Sequence, residues 1–146
     1  MLNVTLLLAA LIGAAFAAQP AINAVAAHTF QSAIPAAVLS IGITLVASSA
    51  LMVLTGTTPS LTMIGNLPWW VVLGGLIGVL VVAGGAAIVP VTGVALFFVC
   101  LVFGQLLGSI IIDHFGAFGV PVREFSVMRA LGLACAAIGV ALVRFS

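Results

Sequence analysis

Gln105, Ser109 and Asp113 stand at i, i+4 and i+8 in the stretch Gly104-Gln105-Leu106-Leu107-Gly108-Ser109-Ile110-Ile111-Ile112-Asp113-His114-Phe115-Gly116. On a helix that spacing stacks an amide, a hydroxyl and a carboxyl on one stripe. The amide and the hydroxyl can hold a solute by hydrogen bonds, and the carboxyl can carry a proton. His114 adds an imidazole, which ordinarily titrates near neutrality, as a desolvated carboxylate also can. Asp113 and His114 therefore have the chemistry of a gate or a proton relay. The competing reading makes Asp113 an interfacial acid paired with Arg123 or Arg129. Three of the five charged residues of the whole chain lie between 113 and 124.

A second constellation is Gln19-Pro20-Ala21-Ile22-Asn23. Gln19 and Asn23 are i, i+4 and share a helix face, and Pro20 cannot donate to the carbonyl of Phe16, so a kink is expected there. Two amides beside a kink suit a face turned to protein or water rather than to lipid. They serve either as links between helices or as the lining of a solute path.

The elements that must position these groups are set by composition. The 146 residues are 65 % hydrophobic and 3 % charged, with 16 glycines and no lysine, and the mean hydropathy is +1.53. A soluble domain carries roughly a quarter of its residues charged, and this chain in water would expose more apolar area than a monomer tolerates. It reads as an integral membrane protein. Long apolar runs rather than short alternating segments favour helices over a barrel, and abundant glycine and alanine suit close helix packing in lipid. A net charge of +1 gives no electrostatic basis for binding nucleic acid. Cys100 and Cys135 fall inside apolar runs and read as small buried hydrophobes.

Five spans are expected, at about 2–25, 33–54, 69–88, 91–112 and 127–144, forming one all-α domain of five transmembrane helices. The first lacks the basic leader of a signal peptide. Residues 26–32, with His28, read as a short loop, and Pro35 falls early in the second helix, where its missing donor is harmless. Ser40, Thr44 and Ser48 form a hydroxyl stripe that can bond back to its own helix and reads as a packing face. Residues 55–68 read as an uncharged loop ending at Trp69-Trp70, a pair suited to a membrane interface. Gly74 and Gly78 make a GxxxG face in the third span, and Pro90 is expected to start a new helix after a very short turn. Residues 113–126 read as a glycine-rich loop, with Ser126 as the N-cap of the last helix and Glu124 near its positive end.

An odd number of spans puts residues 1 and 146 on opposite sides of the bilayer. Arg123 and Arg129 then lie on one side and Arg144 on the other. Orientation follows the Lys/Arg bias of short loops, and two against one is almost no bias. Insertion in both orientations, or orientation by a partner, is expected.

Gln19-Pro20-Ala21-Ile22-Asn23, Pro68-Trp69-Trp70 with Gly74-Gly75, Gly104-Gln105…Ser109…Asp113-His114-Phe115-Gly116 and Arg129-Ala130-Leu131-Gly132…Gly139 together resemble the YdcZ-like family. This is a family of small five-helix membrane proteins in the drug/metabolite transporter superfamily. The resemblance runs nearly the whole chain in order and implies a half-transporter that assembles as an inverted, ten-helix pair of five-helix units. Two inverted copies supply the repeat that many carriers use for alternating access. It implies no agreed substrate. The four-helix exporters of the superfamily carry a glutamate in the first helix, whereas here that helix offers only Gln19 and Asn23.

The expected function is transport of a small organic solute or metabolite across the inner membrane, of exporter type, by a multi-pass protein. The working unit is expected to be a homodimer, or a heterodimer with a paralogue, in inverted orientation. Gln19, Asn23, Trp69, Gln105 and Ser109 are expected to line the central cavity, supplying hydrogen bonds and an aromatic wall without a fixed charge. Such a site suits a neutral or zwitterionic solute. Asp113, His114, Arg123 and Arg129 are expected to gate it or to form an ion pair. The alternative is a non-transporting accessory or structural subunit of a larger membrane complex. No cofactor, metal site or enzymatic activity is expected, because no phosphate loop, metal-ligand cluster or nucleophile–base pair is recognisable.

Overall fold

The computed structural model describes residues 2–146, with side chains from residue 4 onward. Apolar runs of this length have no water in lipid to take up their peptide groups, so each must satisfy its backbone internally, and a helix does so. Every regular element among the described residues is helical. The α-helices are α1 (Leu2–Phe30), α2 (Ala33–Leu54), the short α3 (Leu61–Gly65), α4 (Val71–Thr92), α5 (Val94–Phe115) and α6 (Val127–Arg144). Five of them are long and apolar enough to cross a membrane, α3 being the exception.

The helix ends are read from specific residues. Ser32, Ser60 and Ser126 take extended backbone and accept hydrogen bonds from Ile34, Met63 and Arg129 respectively, each satisfying one orphan donor of a first turn. α2 closes with the left-handed Gly56 (φ 66°). There the Gly56 amide donates to the Val53 carbonyl and the Thr57 amide to the Met52 carbonyl, both at 3.1 Å, the paired bonds of a Schellman ending.

Four segments differ from expectation, the first being 113–126, where α5 runs on through Phe115 and a 3-10 turn forms at Ala117–Gly119. α1 continues through Pro20 to Phe30, so residues 26–30 are helical, and the link to α2 is only Gln31-Ser32. The Ser32 amide reaches back to the Ala27 carbonyl at 3.0 Å while its hydroxyl caps α2, so one residue ends one helix and starts the next. The 55–68 segment contains α3. Pro90 lies inside α4 rather than opening a new helix. The break comes at Gly93, whose φ of 76° is open to glycine and costly for other residues. A proline in a last turn removes only one ladder bond, which a helix of this length tolerates.

The chain divides into two compact units, one ending at Val91 and one beginning at Thr92. In the first, α1 and α2 pack as a hairpin. Its buried apolar residues are Ala36, Ala37, Ala86 and Val89, small side chains that allow backbones to approach closely without a hydrophobic drive between them. In the second, α5 and α6 pack together. At Gly139 of α6 a β-carbon would lie 3.7 Å from Val99 Cγ2 of α5, so the two helices meet at van der Waals distance there. At most 11 % of any spanning helix's most apolar window is buried within the chain. The apolar side chains that remain must be covered by lipid or by other protein.

Candidate functional site

Two polar sites stand out, one in each unit. In the first unit, a groove of about 320 Å³ runs between α1 and α2, lined by Ala15, Ala18, Gln19, Ile22, Asn23, Ala26, Ala36, Leu39, Ser40, Ile43 and Thr44. The two-residue link makes the helices antiparallel neighbours, which sets the amide face of α1 against the hydroxyl stripe of α2. Asn23 is 7 % exposed, and its Nδ2 is buried without a hydrogen-bond partner among the described residues. A buried amide left unpaired costs about 1–3 kcal/mol. Thr44 Oγ1 donates to the Ser40 carbonyl at 3.0 Å and Ser48 Oγ to the Thr44 carbonyl at 2.7 Å, so their hydrogens are spent on their own helix.

A larger cleft of about 670 Å³ in the same unit is walled by residues of α1, α2 and α4 including Ala24, Ala86, Val89 and Pro90, with His28 as its one ionisable lining residue. Its walls are otherwise almost wholly apolar.

The second site joins the C-terminal end of α5 to the start of α6. Arg129 Nη2 lies 3.1 Å from Asp113 Oδ2, the two side chains being 26 % and 32 % exposed. Arg129 Nη1 donates to the Arg123 carbonyl at 3.5 Å, and the Arg123 amide donates to the Asp113 carbonyl at 2.8 Å. Residues 113, 123 and 129 thus form a closed ring of contacts across the connecting segment. The ring offsets the unfavourable placing of a carboxylate at the negative pole of a helix. The turn that allows it is Gly116, left-handed at φ 59°, where a β-carbon would lie 2.7 Å from Val122 Cγ2 and 3.2 Å from the Val120 carbonyl oxygen. Ser109 and Asp113 line a cleft of about 280 Å³ beside Arg129, Gly132 and Leu133.

Gln19 and Asn23 share one groove, and Ser109, Asp113 and Arg129 share another. Trp69 is 78 % exposed in the turn before α4 and Gln105 is exposed on α5; neither lines these clefts. The Ser109 hydroxyl donates to the Leu106 carbonyl at 2.9 Å. His114 stands edge-on to Phe115, ring centroids 5.0 Å apart. Of the two arginines considered as partners of Asp113, Arg129 supplies the side chain and Arg123 the backbone. Ser40 and Thr44 are lining residues that the sequence presents only as a packing stripe. Their spacing from Gln19 and Asn23 across a two-residue link is the signal that joins them. No group of three or more histidine, cysteine, aspartate or glutamate side chains gathers as a metal site among the described residues.

A family model described as "Putative inner membrane exporter, YdcZ" matches residues 4–142. No curated protein matches the chain, and no solved structure does.

Proposed function

This chain belongs to the YdcZ family of inner-membrane exporters, a multi-pass protein of that membrane, and from that premise we propose that it carries a small organic solute as an inverted pair. The second member of the pair is another copy or a paralogue. The observation that supports solute handling most directly is the Asn23 amide. A chain with so few polar groups keeps one of them buried and unpaired, 7 % exposed, in a groove with Gln19, Ser40 and Thr44. Nearly all buried polar side chains in proteins have a partner, and a solute is a partner that comes and goes.

Inverted pairing draws support from the charges. Asp113, Arg123, Glu124 and Arg129 gather at one end of the α5–α6 hairpin, while Arg144 ends α6. An arginine count this even orients a chain poorly, and two opposed copies of an odd-numbered bundle generate the inverted repeat of a carrier. Purified protein in liposomes, free of any other subunit, is expected to show solute-dependent flux over a library of small organic compounds. Absence of flux for every compound from folded protein, with either orientation present, would refute the proposal and favour an accessory subunit.

A further inference from the structure

We propose that the α1–α2 groove holds an uncharged solute by a hydrogen-bond acceptor, a carbonyl or amide oxygen, with Asn23 as the principal donor. This deepens the transport reading and rests on it. The Asn23 Nδ2 is buried with no hydrogen-bond partner among the described residues, an orphan donor beside a groove that a small solute can enter. The Asn23 side chain lines the groove, and its χ2 torsion is soft, so the amide can adjust its N–H toward a solute. Gln19 supplies a second amide and Ser40 a hydroxyl. Thr44 offers only its oxygen, because its hydrogen is held by the Ser40 carbonyl. The site can therefore donate to an acceptor, and its amide and hydroxyl oxygens can receive an N–H or O–H in return.

The lining sets the charge class. Among the described residues, no arginine, aspartate, glutamate or histidine borders this groove. An ion entering it would leave water without meeting a countercharge, which is far costlier than burying a neutral amide. Anions, cations and zwitterions are excluded on that ground. The remaining walls are apolar, with Ile22, Leu39 and Ile43 among small alanines, and the volume of about 320 Å³ sits at the low end for ligand sites. A compact apolar body bearing one acceptor group fits both. A helix of a second copy fits the orphan donor poorly, since its own carbonyls are taken up in its ladder.

The test uses full-length protein carrying Cys100→Ala and Cys135→Ala in proteoliposomes, with Ala26→Cys placed in the groove as a labelling site for a small polar thiol reagent. Three probes of one skeleton are compared: valeramide, valerate and pentylammonium. Valeramide is expected to slow labelling several-fold and the two ions to leave it unchanged. Asn23→Leu is expected to abolish the protection, while its melting temperature equals or exceeds the parent's because the unpaired amide is gone. Equal protection by either ion, or protection that survives Asn23→Leu, would overturn the assignment. So would a cysteine at 26 that is inert or that cross-links to a second copy. Flux separates this from the wider reading. Transport of an ionic solute, indifferent to Asn23→Leu, leaves transport standing and the site refuted. Valeramide protection with no flux of any solute does the reverse.

Discussion

Replacing Gly116 with alanine should destabilise the second unit by about 3 kcal/mol, from two terms that can be measured apart. The first is backbone. Gly116 is left-handed at φ 59° and ψ 30°, a conformation that costs an L-residue about 1–2 kcal/mol. The second is steric, because the new β-carbon would lie 2.7 Å from Val122 Cγ2 and 3.2 Å from the Val120 carbonyl oxygen. Overpacking of that kind typically costs about 1–3 kcal/mol. Val122 is 64 % exposed, so its side chain has room to swing aside despite a stiff χ1; the carbonyl has no such freedom. Val122→Ala alone, at an exposed site, should change stability by less than about 0.5 kcal/mol. The double variant should recover the side-chain part of the loss and retain the backbone part, about 1–2 kcal/mol. Reversible unfolding in mixed detergent gives both numbers. A single variant within about 0.5 kcal/mol of the parent, or full recovery in the double variant, would show that this turn does not hold the 113–123–129 ring.

The Asp113–Arg129 pair, roughly a quarter to a third exposed on each side, should show a coupling of about 0.2–1 kcal/mol in an Asp113→Asn, Arg129→Gln double-mutant cycle. A coupling of zero would make the contact incidental. If the pair is structural, Asp113→Asn should also leave the pH profile of flux unchanged, and a flattened profile would assign Asp113 to proton coupling. Gln31, left-handed at φ 54° between α1 and α2, should gain about 0.5–1 kcal/mol on replacement by glycine, the relief of strain being partly offset by a freer unfolded chain; a lower melting temperature would contradict this. Adding two lysines to the 116–126 segment should fix one orientation and abolish flux unless an oppositely fixed copy is co-expressed. Full activity from one fixed orientation without a partner would refute inverted pairing.

The helices were legible because each span is a nearly unbroken apolar run, and a polar interruption such as Thr55-Gly56-Thr57-Thr58-Pro59 cannot lie in hydrocarbon. Their ends were less so. Pro90 reads as a helix start by its propensity for a first turn, but a positive φ at Gly93 decides the break, and sequence alone does not say which of the neighbouring glycines takes that conformation. His28 reads as a loop residue although nothing before Gln31 marks a stop, and the helix runs on to Phe30 and ends where Gln31 adopts the left-handed form. The ion pair was half legible. Asp113 needed a cation, and two arginines stood within reach in sequence, yet the Gly116 turn gives Arg129 the side-chain contact and Arg123 the backbone one. The grouping of Gln19 and Asn23 with Ser40 and Thr44 was hidden for another reason. Serine and threonine can satisfy themselves on their own helix, and Thr44 does, so a hydroxyl stripe alone does not announce what it faces.

The placement of charge on α6 bears on orientation more than its amount does. Arg129 stands in its first turn and Arg144 is its last residue, about 22 Å apart along the axis at about 1.5 Å per residue. A helix of 18 residues is about 27 Å long, close to the hydrocarbon thickness of about 30 Å, so the two guanidinium groups mark opposite interfaces and their orienting effects oppose each other. The imbalance then reduces to Arg123. One residue near a membrane surface of anionic lipid contributes about 1 kcal/mol, enough to skew a population and too little to fix it. Inversion on this account requires no special device in the fold. The proposed inversion rests only on an odd number of spans and an almost cancelled charge, and a single added cation on the Arg144 side should bring the two orientations toward equality.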